Sequence, residues 1–184
     1  NFGLSSVRAG NVIGGGDFSK YRIIPDIIKN LKKKKFFLRN PNHIRPWQHV
    51  FSLCYAYILL SYKISRKNKR LIKEDSFNFG PNNHKFYSVE DIVKLLTREV
   101  LKISNTDISK NIKVKNKKKK SFYESKILKL NSKKANQLLG WKPYYNINQA
   151  IKETAEWYYT YSDKKEDILN YSTKKVNEFL KKIR

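Results

Sequence analysis

The stretch 38–50, LRNPNHIRPWQHV, places the tightest local constraint on this chain, because Pro41 and Pro46 fall within thirteen residues. Each proline fixes its own φ, removes a backbone donor, and pushes the residue before it, Asn40 or Arg45, toward extended backbone. Neither a helix interior nor a central strand tolerates that, so the stretch is a stiff connector between two apolar segments. It also carries Arg39 and Arg45, Asn40 and Asn42, His43 and His49, and Trp47. Polar side chains crowded into a stiff connector mark a candidate site. Arg45 is held there, and its guanidinium is a planar, permanently charged fork suited to bidentate capture of phosphate or carboxylate oxygens. Trp47 serves as a wall beside such a pair or as ordinary core. Taken alone, Arg-Pro-Trp also fits a plain surface loop.

Around this connector the chain reads as alternating strands and helices. Residues 4–13, LSSVRAGNVI, form a buried strand that runs into a turn at Gly14-Gly15-Gly16-Asp17. Residues 21–31 carry Ile23, Ile24, Ile27, Ile28 and Leu31 at helical spacing, with Pro25 in the first turn. A short strand, 36–39, leads into the connector. Residues 50–64 form the best helix, expected to be buried on most sides, with Cys54 a small buried hydrophobe. SFNFG at 76–80 is a second buried strand closed by Gly80-Pro81. Strand, helix, strand is the grammar of a parallel sheet with crossover helices.

Farther on, Ser88 and Asp91 form a capping-box-like start for a helix over 89–101. Residues 104–120 read as a lysine-rich loop or edge hairpin, and 127–130 as a strand. Asn131 or Ser132 caps a short helix, 133–139, stopped at Gly140. An amphipathic helix over 147–161 and a helical tail to residue 184 close the chain. Arg8 is expected to pair inside the fold, and His49 to be an ordinary helix-start residue. His43 and His84 stand apart from each other and from any Cys or carboxylate cluster, so a metal site is not expected.

Composition removes whole classes of function. Of 184 residues 40% are apolar and 14% aromatic, enough for a core and inconsistent with a disordered chain. The formal charge of +25 raises nucleic acid and anionic membranes as partners. Lysine supplies most of it, in runs at 32–35 and 117–120 and singly through every segment, whereas a specific reader gathers Arg and Lys on one face. Neither specific nucleic-acid nor membrane binding is therefore expected, although general adhesion to polyanions is. The longest apolar run, 51–60, is too short to span a bilayer. With one cysteine and no charged-then-apolar leader, a cytoplasmic location is expected. The chain opens on Asn1, contains no Met and enters directly as a strand, which reads as a fragment whose beginning is missing.

The residues Ser6-Val7-Arg8-Ala9-Gly10-Asn11-Val12-Ile13-Gly14-Gly15-Gly16-Asp17, Ile24-Pro25-Asp26, Arg39-Asn40-Pro41-Asn42, Ile44-Arg45-Pro46-Trp47-Gln48-His49-Val50, Asn78-Phe79-Gly80-Pro81 and Leu139-Gly140-Trp141-Lys142-Pro143 closely resemble the CDP-glucose 4,6-dehydratases. These belong to the extended short-chain dehydrogenase/reductase group, and the resemblance runs from residue 1 to about 158. The RNPN-x-IRPWQHV and AGNVIGGGD stretches are the most specific. The LGWKP and NFGP motifs are shared across sugar-nucleotide dehydratases and epimerases.

The resemblance implies an α/β fold: the last strands of a Rossmann-type parallel sheet plus a smaller α/β substrate-binding domain, the N-terminal part of the Rossmann domain being missing. It implies residues 1–85 as a Rossmann remnant interleaved with substrate-domain segments at about 17–48, residues 86–160 as the nucleotide-sugar domain, and 161–184 as a helical tail. By the same resemblance the chain begins just after the family's catalytic Tyr-x-x-x-Lys and lacks both the glycine-rich NAD turn and the Thr-Asp-acidic segment, so it holds no catalytic residue. Gly14-Gly15-Gly16 lacks the fingerprint spacing and is a strand-to-loop turn. The family oxidises glucose C4 by hydride transfer to resident NAD, eliminates water across C5 and C6, and returns the hydride to C6. Ala9 and Gly10 match positions against the nicotinamide of NAD. Asn11, Arg39, Arg45 and Glu124 match the substrate side, with Asn11 donating to a phosphate and Arg45 gripping the pyrophosphate of CDP-glucose. Tyr123-Glu124-Ser125 stands where the family has His-Glu-Ala, and Asn131 where it commonly has Asp. A full-length homodimer is implied. Judged without the resemblance, Asn11 equally satisfies the turn after its strand.

Two alternatives stay open: another enzyme of the group acting on dTDP-, UDP- or GDP-linked sugars, and a non-enzymatic polyanion-binding module. Salt separates the last, since purely electrostatic binding collapses as ionic strength rises.

Overall fold

The computed structural model of the chain describes residues 4–30, 35–38, 40–65, 75–81, 86–104, 113–116, 124–163 and 167–183. The expected first strand is two strands, β1 (Ser5–Ala9) and β2 (Asn11–Ile13). They part at Gly10, where any Cβ would overlap the Pro46 carbonyl oxygen, so glycine is required by the close approach of another strand. After α1 (Ile23–Asn30) come β3 (Lys35–Leu38), β4 (Ile44–Arg45) and β5 (Trp47–His49), followed directly by α2 (Val50–Ser65). Arg39 lies outside the described residues.

The crossover grammar holds. β6 (Asp75–Phe79) lies parallel to β1, with Ser5 opposite Asp75 and Ala9 opposite Phe79, and α2 connects the two halves of that pair. β2 lies parallel to β5, with Asn11 opposite Trp47. β7 (Tyr87–Ser88) pairs antiparallel with β4 and runs into α3 (Val89–Ser104). The box at its start is formed: Ser88 N–H donates to Asp91 Oδ2 at 2.9 Å and Asp91 N–H donates to Ser88 Oγ at 3.1 Å. Residues 113–116, expected in a loop or hairpin, are β8 (Lys113–Asn116), parallel to β3. No local sequence signal distinguishes a lysine-rich strand paired across 78 residues from a loop. Residues 127–130 are no strand, for Ile127 makes only an isolated bridge to Ile44.

The C-terminal third is helical: α4 (Lys133–Leu139), α5 (Ile147–Asp163) and α6 (Ile168–Ile183). Asn131 Oδ1 accepts the Lys133 N–H at 2.9 Å, while Ser132 Oγ accepts the Gly80 N–H at 2.8 Å and so ties α4 to the end of β6. Gly140 ends α4 at φ 72°, the left-handed region open to glycine. Asn146 and Gln149 cap α5 reciprocally at 3.0 Å each way.

Two apolar clusters hold these elements. The larger joins Ile13, Ile27, Trp47, Ile92, Leu96, Ile151, Ala155, Tyr158 and Phe179, and the smaller joins Leu53, Ala56, Leu60, Phe77, Phe79, Leu139 and Trp141. Trp47 is thus core, with its indole N–H donating to the Tyr87 carbonyl at 3.0 Å. The glycine run also has a packing cause: a Cβ at Gly15 would overlap the Trp157 ring. Three expectations are corrected. α2 buries only one face, through Ser52, Leu53, Ala56 and Leu60, Cys54 is exposed on the other, and Arg8 is exposed on β1. Apolar content alone does not tell which face a neighbour covers.

Candidate functional site

Pro46 is the pivot of the site. Before it, β4 pairs with β7, and after it, β5 pairs with β2, because a residue without an N–H separates two short ladders. Upstream, residues 40–43 turn back, with His43 N–H donating to the Asn40 carbonyl at 3.2 Å. That turn rests on the start of α3 through Val89 N–H to His43 O at 3.0 Å and Glu90 N–H to Pro41 O at 2.9 Å. Arg45 therefore leaves a backbone clamped on both sides, as the prolines imply.

Its side chain is 8% exposed, and both Nη atoms have partners. Nη1 donates to the Ile44 carbonyl at 2.8 Å and toward the Lys126 carbonyl at 3.5 Å. Nη2 meets His43 Nδ1 at 2.9 Å and donates to Glu124 Oε1 at 2.5 Å. The other Glu124 oxygen accepts from Asn40 Nδ2 at 2.9 Å. The hydrogen bond from Arg45 holds the Glu124 carboxyl below the usual carboxylate range against a smaller opposing effect of burial, and Asn40 and His43 lower it further. Glu124 is brought here by the segment around Ile127, whose Lys126 carbonyl accepts the Ile44 N–H at 2.9 Å and whose Leu128 N–H donates to Ile44 O at 3.1 Å.

The structure thus joins Arg45 and Glu124, 79 residues apart in sequence. Ala9, Gly10 and Asn11 pass along the far side of Pro46: Gly10 lies against its carbonyl and Asn11 opposite Trp47. Gly10 N–H donates to Phe79 O at 3.0 Å, and Gln48 Nε2 donates to the same oxygen at 2.9 Å. Ala9 is exposed at the C-terminal end of β1, and Asn11 is half-buried. Sequence reasoning missed two members. Asn40 and His43 both reach Glu124, His43 Nδ1 at 3.6 Å, a single carboxylate beside the histidine. Their place in the same proline-bracketed loop was the available signal. His49, by contrast, is the helix-start residue expected, its Nδ1 accepting the Phe51 N–H at 3.3 Å.

Comparison with known proteins gives the family and the fold. The family model described as GDP-mannose 4,6 dehydratase matches residues 11–154. The chain belongs to that family. A curated relative, the CDP-glucose 4,6-dehydratase of Salmonella typhimurium, is 34% identical over 180 residues, which is 97% of this chain and 47% of the relative. The chain thus spans about half the length of the curated relative it matches. Among solved structures, the dTDP-glucose 4,6-dehydratase of Bacillus anthracis in complex with NAD superposes with a TM-score of 0.67 at 21% identity, over 86% of this chain and 45% of that one. The UDP-glucose 4-epimerase of Thermotoga maritima, with UDP-glucose, gives 0.64 at 18% identity over 86% and 46%. The fold is therefore that of the Rossmann-type dehydratases and epimerases, of which this chain carries about half.

Tyr171 and Lys175 in α6 have the Tyr-x-x-x-Lys spacing that the resemblance places upstream of the chain. Here the Tyr171 hydroxyl donates to Glu156 Oε2 at 3.2 Å, and Lys175 Nζ lies 3.1 Å from both Glu153 and Glu156. Burial pushes the Tyr171 hydroxyl up, opposite to the lowered value a tyrosine needs to exchange protons near neutrality. The pair ties α6 to α5.

Proposed function

We propose that this chain supplies the nucleotide-sugar half of a CDP-glucose 4,6-dehydratase, an NAD-dependent lyase converting CDP-glucose to CDP-4-dehydro-6-deoxyglucose. The observation that carries the reading is the convergence of Arg45 and Glu124 at the Pro46 pivot, directly beside the Gly10–Asn11 crossing. Arg45 holds the diphosphate, Asn11 donates to a phosphate from the neighbouring strand, and the resemblance assigns Glu124 and Arg39 to the substrate side. Two adjacent phosphates present the oxygens that a fixed guanidinium fork accepts.

The residues present also fit NAD. Ala9 is small and exposed at the C-terminal end of a parallel strand, the edge where open α/β sheets receive nucleotides, and Gly10 keeps that edge flat. When bound, NAD supplies the acceptor and donor of the hydride taken from C4 and returned to C6. This chain's own contribution is to fix the diphosphate, and through it the sugar, relative to that edge. Binding energy gathered at the diphosphate orients the reacting carbons without touching them. In this reading the full-length enzyme is a homodimer and cytoplasmic. Among the described residues no helix is long and apolar enough to cross a membrane.

A second reading is favoured by the family model, described for GDP-mannose, and by neighbours solved with UDP-glucose or NAD: the same cradle holding a dTDP-, UDP- or GDP-linked sugar. Calorimetry decides. The chain binds CDP-glucose more tightly than the UDP, dTDP and GDP analogues, and Arg45→Ala abolishes that binding. Unchanged affinity in Arg45→Ala overturns the diphosphate assignment, and a preference for another base selects the second reading. Binding that collapses with added salt as steeply as binding to heparin points instead to a polyanion-binding module.

A further inference from the structure

We infer that Glu124, steadied by Asn40, competes internally with phosphate for Arg45, so that a phosphate-bearing ligand enters only by breaking that ion pair. The inference rests on the reading of Arg45 as the diphosphate ligand. Both Nη atoms of Arg45 are committed, Nη1 to the Ile44 and Lys126 carbonyls and Nη2 to His43 and Glu124. The carbonyls belong to β4 and to the backbone hydrogen-bonded against it, and His43 is fixed in the turn that rests on α3. Glu124 differs from all of these. It is the only anion among these partners, its side chain is 55% exposed, and it enters from outside the strands. A phosphate oxygen therefore reaches Arg45 by replacing the Glu124 carboxylate.

Asn40 strengthens the competitor. Its amide holds the second carboxylate oxygen at 2.9 Å, so Glu124 presents a fixed, two-point competitor and not a wandering charge. A single phosphate and a diphosphate break the same Arg45–Glu124 contact, so the carboxylate lowers the affinity of both by one common factor. Arg45 is buried, but the Glu124 side chain is 55% exposed and moves off into water as a phosphate oxygen arrives.

The test uses inorganic pyrophosphate and inorganic phosphate as probes, titrated into the 184-residue chain by calorimetry. Glu124→Gln keeps the shape and the contact with Asn40 but removes the competing charge. It is expected to bind pyrophosphate about fivefold tighter, the ratio that matches loss of a partly exposed ion pair. Phosphate gains by a similar factor, because both ligands displace the same carboxylate. Asn40→Ala moves both affinities in the same direction by less, and Glu124→Ala repeats the result without the amide. Equal or weaker pyrophosphate binding in both Glu124 variants overturns the competition. The two failures are distinguishable: wild-type affinity retained in Arg45→Ala sinks the diphosphate reading itself, whereas loss in Arg45→Ala with no gain in the Glu124 variants sinks only the competition.

Discussion

His49 shows how a single buried side chain couples this fold to pH. It is 3% exposed, packed between the rings of Phe51 and Tyr145, and its Nδ1 serves as the N-cap acceptor of α2. Burial, reinforced by the Lys182 charge, lowers its pKa from 6.5 to about 4. Between those values the unfolded chain takes up a proton that the folded chain refuses. Stability is therefore complete above pH 6.5 and falls as pH drops toward 4, by about 3 kcal/mol if His49 acts alone. Urea unfolding across this range should show that loss. His49→Asn, which keeps an acceptor for the Phe51 N–H without the titration, should flatten it. A slope unchanged in the variant would assign the acid sensitivity elsewhere. The role of His49 was legible in the sequence because a polar residue directly before an apolar helix caps it. The Arg45–Glu124 pair was not legible from periodicity, since nothing local links residues 79 apart, and the resemblance to known dehydratases alone pointed there.

At the scale of elements, local chemistry settled which segments are helices and tertiary contact settled the rest. The Ser88–Asp91 box, the Asn146–Gln149 box and Gly140 act within a few residues of themselves, and α3, α4 and α5 begin or end accordingly. Asp91→Ala removes the acceptor for two Ser88 donors, the N–H at 2.9 Å and the hydroxyl at 2.8 Å. It should cost about 1 kcal/mol in thermal unfolding. Because the two side chains satisfy each other, the double variant with Ser88→Ala should cost less than the sum of the singles. Additive losses would mean that each cap works alone. Strand pairing has no such local signature. The expected strand β3 pairs with β8, whose composition reads as loop, β4 in the stiff connector pairs with β7, and Gly10 splits one expected strand because Pro46 approaches it. α2 misled for the opposite reason: its sequence is apolar around the whole circumference, while the described neighbours cover only the face of Leu53, Ala56 and Leu60.

At the scale of the whole molecule, that uncovered surface sets how the chain behaves in solution. Leu4, just before β1, is 65% exposed, Ile58 on α2 68%, and Val7, Val12 and Tyr57, on β1, β2 and α2, between 36% and 41%. A parallel pair such as β1–β6 is ordinarily covered on both faces, and exposed apolar groups of this size promote association. The opposing term is charge: at +25 the molecules repel one another at low ionic strength. Salt screens that repulsion over about 8 Å at physiological ionic strength while leaving apolar attraction intact. Self-association should therefore grow as salt is added, the opposite sign to polyanion binding through the same lysines. Light scattering across a salt series should show the rise in the wild-type chain. Ile58→Glu should suppress it while changing unfolding stability by less than about 0.5 kcal/mol, because that side chain faces away from the core. Phe77→Ala, at 1% exposure within the smaller core, should instead cost about 3–5 kcal/mol. Association that weakens with salt, or persists in Ile58→Glu, would show that contacts other than this apolar face hold the molecules together.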